Sequence, residues 1–268
     1  MQTSQKNISN RQNKRMGNQL IVKKYRKYEG VTEHFFNHFT PIFAHTDKLK
    51  QEIYKIRYQV YCEELNYESK NKFLDKKEQD VYDHRSYHFL LEHKPSGQYV
   101  GCVRLIFPTS EKTQVLFPFE KIYNKSVNFD IKCRQNHCEI SRLAILKTFR
   151  KPQKNSLCAT GVNFCTQDKK YNVPLISMGL HGAYISMAAF WGFKLFCLIE
   201  KSLARHYQLY GIKTHQIGPM IDYRGKRIPF LMKPREILRN IDPSLRELFE
   251  AIQQKLLSST PSLSLLSV

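Results

Sequence analysis

Apolar positions along the chain switch between a period near 3.6 and a period of two, and the switches mark its elements. Val31 to Phe39 has the spacing of a short amphipathic helix, and Pro41-Ile42-Phe43-Ala44 reads as a first strand. Leu49, Ile53, Ile56 and Val60 lie at i, i+4, i+7 and i+11, one stripe of a helix that Thr46-Asp47 is placed to cap. Glu68 to Lys77 is a charged loop. Ser86 to His93 alternates, Lys94-Pro95-Ser96-Gly97-Gln98 has turn chemistry, and Tyr99 to Phe107 returns, which predicts a hairpin. Val100, Cys102, Arg104 and Ile106 then share one face of the return strand. Phe117-Pro118-Phe119-Glu120 opens a connection to a second alternating run, Cys138 to Ile145. Pro174 starts a helix carrying Leu175, Met178, Leu180, Ile185 and Ala189 and ending near Gly192. Leu195 to Ile199 reads as a buried strand, Ser202 to Tyr210 as a helix stopped by Gly211. Gln216-Ile217-Gly218-Pro219 and Ile228 to Met232 form a last strand pair turned at Tyr223 to Arg227, and Pro243 to Leu257 a terminal amphipathic helix. This order predicts an α/β sandwich around a mixed, mostly antiparallel sheet.

With 268 residues, 41% of them hydrophobic and 25% charged, the chain can bury a sizeable core. Residues 1–30 are too polar and basic to pack and are expected to form a mobile arm. Residues 31–240 hold the folded domain, and 241–268 add a C-terminal helix and a frayed tail. No apolar run is long enough to span a membrane and the N-terminus lacks a secretory h-region, which predicts a cytoplasmic protein. Seven scattered cysteines do not form a disulfide framework. Cys133, His137 and Cys138 lack a second ligand pair at finger-like spacing, so no metal site is expected.

The net charge of +20 favours acidic partners: nucleic acid, an anionic membrane or an acidic protein. Nucleic-acid binding predicts aromatics interleaved with Lys and Arg on exposed strands, whereas the aromatics here fall largely on apolar stripes. No specific nucleic acid is therefore expected, while passing contact with an anionic membrane suits the charge.

The chemistry concentrates in Cys138-Glu139-Ile140-Ser141-Arg142-Leu143-Ala144-Ile145, a strand holding one carboxylate and one guanidinium. Such groups are rarely buried unless paired. Either the two belong to a structural ion pair or they mark a reaction centre, with the carboxylate handling a proton. Arg57 and Tyr61, four apart, flank the stripe of the capped helix. Three positions is an odd offset, so a regular strand puts Glu139 and Arg142 on opposite faces.

Arg57-Tyr58-Gln59-Val60-Tyr61-Cys62-Glu63-Glu64-Leu65, Asp80-Val81-Tyr82-Asp83, Gly101-Cys102-Val103-Arg104-Leu105 and Glu139-Ile140-Ser141-Arg142-Leu143-Ala144 together resemble, in order and gaps, the signature blocks of acyl-homoserine lactone (autoinducer) synthases and the related N-acyl amino acid synthases. Phe117 to Glu120, Gly179-Leu180-His181-Gly182-Ala183, Gln216 to Pro219 and Gly225-Lys226-Arg227-Ile228-Pro229 resemble the PEP-CTERM/exosortase-associated acyltransferases, grouped with the N-acyl amino acid synthases. The resemblance covers roughly Ile42 to Met232. It implies the GCN5-related N-acyltransferase fold, with a β-bulge between Glu139 and Arg142 that restores a common face and frees amides for a thioester oxygen.

The resemblance also implies the reaction: transfer of an acyl group, long rather than acetyl, to the α-amine of an amino acid. Glu139 is the candidate base, Arg57, Asp80, Asp83, Arg104, Ser141 and Arg142 order the site, and Tyr61 and Phe119 wall it. His181 is a further candidate, although a lone His on an apolar helix more often faces the core. The acyl channel is expected between the helix after Pro174 and the strand Leu195 to Ile199. Acetyl-CoA-dependent relatives carry a glycine-rich phosphate loop after the central strand. This chain has Arg150-Lys151-Pro152-Gln153-Lys154-Asn155 there, without a glycine pair. That points to acyl carrier protein, an acidic partner, over acyl-CoA as donor, with no tightly bound cofactor. The lactone makers usually carry Trp where Tyr67 stands, which weighs against their S-adenosylmethionine chemistry. A lactone synthase, a nucleic-acid binder and an inactive carrier-binding relative are the rival readings.

Overall fold

Helix α1 (Val31–His38) runs straight into the edge strand β1 (Phe39–Phe43), where the outer row of amides needs no partner and Pro41 is tolerated. The computed structural model describes residues 30–109, 116–123, 135–150 and 175–260. The basic arm, the loop after Arg150, Pro174 and the tail after Thr260 lie outside the described residues. Thr46 caps α2 (Asp47–Arg57), its hydroxyl accepting the Leu49 N–H at 3.3 Å. The α-helix does not run on to Val60. Tyr58–Glu64 widens into a π-helical turn, and Val60 still packs in one buried cluster with Ile53 and Ile56 of the predicted stripe.

The chain continues through β2 (Ser86–His93), β3 (Gln98–Ile106), α3 (Pro118–Tyr123), β4 (His137–Ile145) and the single turn α4 (Lys147–Arg150). Next come α5 (Leu175–Trp191), β5 (Lys194–Ile199), α6 (Lys201–Leu209), two short strands β6 (His215–Gln216) and β7 (Ile221–Asp222), and β8 (Lys226–Met232). Two helices close the described chain, α7 (Pro234–Asn240), which the periodicity did not disclose, and α8 (Pro243–Ser259). The sheet order is β1-β2-β3-β4-β5-β8-β6, with β7 also on β8. Every neighbouring pair is antiparallel except β4 and β5.

The main core lies between one sheet face and α1, α5 and α8. Gly179 and Gly182 let these helices close on α5: a Cβ at Gly179 would stand 2.5 Å from the Phe35 ring, and one at Gly182 2.7 Å from Ile252. Leu245, Leu248, Phe249, Ile252 and Leu256 of α8 are fully buried there, so the C-terminal helix is part of the same core as residues 31–240. At about 1.5–3 kcal/mol for each buried aliphatic or aromatic side chain, that contribution is large beside net folding stability. The opposite face carries α2 over Cys102 and Ala144.

Two register shifts correct the strict alternation read from sequence. The β2–β3 ladder skips Val100, which joins Val103 and Leu105 in the main core instead of sharing a face with Cys102 and Arg104. In the β3–β4 ladder Arg104 pairs with Ser141 and Cys102 with Ala144, so Arg142 and Leu143 together oppose Val103. That second bulge builds the site.

Candidate active site

Arg142 occupies the bulge with φ +52°, a left-handed conformation that non-glycine residues seldom adopt. The extra residue turns Arg142 to the same side as Ser141. Arg104 Nε donates to Ser141 Oγ at 3.0 Å and Arg142 Nη2 donates to Glu78 Oε1 at 2.9 Å. Glu139, two residues before Ser141, therefore shares a face with Arg142, as the bulge implied by the family resemblance requires.

Beneath that face lies a buried charge network. Arg57 donates through Nε to Glu78 Oε2 at 2.5 Å and through Nη1 to Asp83 Oδ1 at 2.6 Å. Arg104 Nη1 reaches Asp80 Oδ1 at 2.6 Å and Asp83 Oδ1 at 2.7 Å, and its Nη2 reaches Asp80 Oδ2 at 3.0 Å. Arg142 adds an ion pair to Asp80 at 3.2 Å. Burial by itself would raise the carboxyls of Glu78, Asp80 and Asp83, but the surrounding guanidiniums outweigh it and hold all three below the usual carboxylate range. The sequence reading brought together Arg57, Asp80, Asp83, Arg104, Ser141 and Arg142, and the structure places all six here. It missed Glu78, the most buried carboxylate of the group. A signal existed: three guanidiniums against two aspartates leave a buried positive charge that needs another carboxylate, and Glu78 is the nearest in sequence to Asp80.

Glu139 stands apart from the network. It is 3% exposed, and its Oε2 accepts the Phe119 backbone N–H at 3.1 Å. Burial pushes its carboxyl up to about 8, against the downward pull of the Phe119 N–H and of Arg104. Phe119 reaches the site through this amide. Its ring turns away from the expected wall into a separate aromatic cluster, 4.7 Å from Phe196. Pro118 and Ile122 provide that side of the wall. Tyr61 does face the cleft: its hydroxyl donates to the Leu143 carbonyl at 2.9 Å, and the Arg142 guanidinium lies 5.4 Å from its ring centre. Burial pushes the Tyr61 phenol up to about 12, so it remains a donor.

The cleft opens where the parallel pair parts. β4 and β5 are paired only from His137 to Ile140 and from Lys194 to Cys197. β5 continues to Ile199 against β8, and β4 to Ile145 against β3. The resulting space of about 480 Å³ is lined by Glu139, Ile140, Ser141, Arg142 and Leu143 on one side and by Leu198, Glu200 and Leu203 on the other. Tyr61, Tyr67, Tyr223, Arg224 and Arg227 complete its rim. Its size is that of a small-molecule site. No described residue of α5 lines it: β5 contributes Leu198, and α5 lies in the main core. His181 follows α5 inward, its ring 4.8 Å from Tyr207, and burial lowers its imidazole to about 3. Among the described residues no group of three His, Cys, Asp or Glu side chains is arranged to hold a metal, and no helix is long and apolar enough to cross a membrane.

This is the autoinducer-synthase form of the GCN5-related N-acyltransferase fold: an open, mostly antiparallel sheet, bulged on its central strand and splayed beside it. A family model described as an acetyltransferase (GNAT) domain matches residues 56–159. Among solved structures, the AHL synthase LasI is similar at 19% identity and a TM-score of 0.53, over 74% of this chain and 90% of that one. The CoA-dependent acyl-homoserine lactone synthase BjaI, solved with SAM and isopentyl-CoA, is similar at 13% identity and a TM-score of 0.52, over 81% and 89%. FeeM, an N-acyl amino acid synthase from uncultured soil microbes, is similar at 14% identity and a TM-score of 0.50, over 76% and 94%. At these identities the likeness is one of fold. No curated protein matches the sequence significantly.

Proposed function

We propose that the protein is an acyltransferase of the kind its structural neighbours represent, moving an acyl group from a thioester donor to the α-amine of an amino acid. One observation carries this reading: a buried carboxyl, Glu139, which has no ion-pair partner among the described residues and is pushed up to about 8 on the wall of the cleft between β4 and β5. A base is most effective when its pKa lies close to the working pH, and an α-ammonium with a pKa of about 8 is a matched proton donor. In its ionised form Glu139 takes a proton from the amine, directly or through water. The nitrogen then attacks the thioester carbonyl, the C–S bond breaks, and the thiol leaves with a proton. The bulged edge of β4 from Ser141 to Leu143, which has no ladder partner on β5, offers main-chain groups to the developing oxyanion.

A thioester on acyl carrier protein is the preferred donor, because the +20 surface suits an acidic partner. The apolar lining from Ile140, Leu143, Leu198 and Leu203 supports a chain longer than acetyl. The exosortase-associated branch remains the finer reading, its Gly225 to Pro229 block running from the β7–β8 turn into β8 beside the cleft. The likeness to LasI and BjaI favours a second reading, a lactone synthase using S-adenosylmethionine.

Purified protein is to be assayed for thiol release with decanoyl and palmitoyl thioesters of carrier protein and of CoA, against mixed amino acids or S-adenosylmethionine, with products identified by mass spectrometry. We expect N-acyl amino acids, and a loss of about 10²–10⁴-fold in Glu139→Gln. Undiminished turnover in that variant across the pH range removes Glu139 as base, and product formed only with S-adenosylmethionine selects the lactone reading.

A further inference from the structure

Among the described residues four arginines line the cleft, and three of them are neutralised by carboxylates. Arg142 is held by Glu78 and Asp80, Arg150 pairs with Glu64, and Arg224 pairs with Glu68. Arg227 differs. Its Nε donates to the Tyr223 carbonyl at 3.1 Å and its Nη2 to the Arg224 carbonyl at 3.3 Å. These neutral acceptors fix the guanidinium without cancelling its charge. The closest carboxylate oxygen, on the half-exposed Glu200, is 3.9 Å away. Among the described residues Nη1 has no hydrogen-bond partner, and the Tyr67 ring centre lies 5.9 Å from the guanidinium carbon. The turn itself sets this geometry: Arg224 at φ +52° and Gly225 at φ +96° fold the carbonyls of residues 223 and 224 back toward Arg227.

We propose that Arg227 is the anchor for the carboxylate of the acceptor. The inference rests on the acyl-transfer reading and adds a specificity-determining residue to it. An α-amino acid presents an amine and a carboxylate one carbon apart. A cleft that offers a base for the first needs a cation for the second, and among the described residues Arg227 is the one cleft arginine whose guanidinium is ordered yet only loosely countered. A guanidinium fork suits a carboxylate in two-point contact, with Nη1 as the first available donor and Nη2 released from its long contact to Glu200. Glu139 does not oppose the arrangement, since below about 8 it is mostly neutral and exerts little repulsion on an incoming carboxylate. S-adenosylmethionine is itself an α-amino acid, so the same anchor serves either acceptor.

The test uses N-decanoylglycine, a probe with a free carboxylate, and its methyl ester, both titrated calorimetrically into the full chain at neutral pH. The wild type is expected to bind the acid about ten- to hundredfold more tightly than the ester. Arg227→Ala should lose that preference while binding the ester as before, and Arg227→Lys should keep only part of it. Equal binding of acid and ester by the wild type, an unchanged preference in Arg227→Ala, or no binding of either probe overturns the anchor. So does a variant in which only the KM for the acyl donor rises, which would assign Arg227 to a phosphate of the donor. A wild type that prefers the acid but forms no N-acyl product leaves the anchor standing and removes the acyl-transfer reading. Arg227 lies near the start of β8 and is partly exposed, and an unchanged melting temperature in both variants separates loss of binding from loss of fold.

Discussion

Arg57 and Arg142 share one buried carboxylate: Glu78 accepts Arg57 Nε on Oε2 at 2.5 Å and Arg142 Nη2 on Oε1 at 2.9 Å. The two arginines come from α2 and from the bulge of β4, so Glu78 ties the helix to the central strand. Removing it leaves two guanidiniums uncompensated. Glu78→Gln is expected to cost about 3–5 kcal/mol, measured by urea denaturation, and to lower activity without touching substrate. A loss below about 1 kcal/mol would show that the network rearranges around the gap.

The same network sets the acid limit of the fold. Glu78, Asp80 and Asp83 have folded pKa values below their unfolded ones, so their contribution is complete above about pH 4 and is lost as pH falls through the folded values. Stability measured by denaturant midpoint should drop steeply below pH 4 at a high and a low salt concentration alike, because buried pairs are little screened.

Glu139 has the opposite sign. Its carboxyl is raised from 4.5 to about 8, so the folded chain holds a proton that the unfolded chain releases, and between those values stability falls as pH rises. Glu139→Gln keeps an acceptor for the Phe119 N–H and removes that cost, which is at most ~5 kcal/mol by the size of the shift. The variant should therefore melt several degrees above the wild type at pH 8 and no higher near pH 4.5. A variant less stable at both values would mean that the carboxylate is welcomed by the fold.

Arg142 holds a left-handed backbone for the sake of the bulge. Arg142→Ala and Arg142→Gly both remove the guanidinium, yet only glycine adopts φ +52° without strain. The glycine variant should be the more stable of the two by about 1 kcal/mol. Equal stability would show that the bulge relaxes once the side chain is gone.

At Gly179 a methyl group would meet the fully buried Phe35 ring at 2.5 Å. Gly179→Ala gains about 1 kcal/mol of helix propensity and pays about 1–3 kcal/mol for overpacking. A net loss in melting temperature is expected, and reversal by Phe35→Leu in the double variant would trace it to this contact.

Much of this protein is written in local pattern. The capped helix from Asp47, the hairpin of β2 and β3, and the central strand holding Glu139 follow from periodicity and turn chemistry, because a half-buried strand or helix must repeat its apolar face at a fixed interval. The site blocks were legible as motifs, since each keeps its charged residues within a few positions of one another. Tertiary structure decided the rest. Whether Arg142 faces Glu139 depends on one extra residue in a ladder with β3, and whether Val100 joins Arg104 depends on another with β2; neither appears in the period of a single strand. Phe119 as an amide donor and Glu78 as the shared counter-charge arise from segments far apart in the chain, and Arg227, held by its own turn, reaches the cleft only because β8 pairs with β5. Burial and pairing are properties of the space between elements, and only the folded chain defines that space.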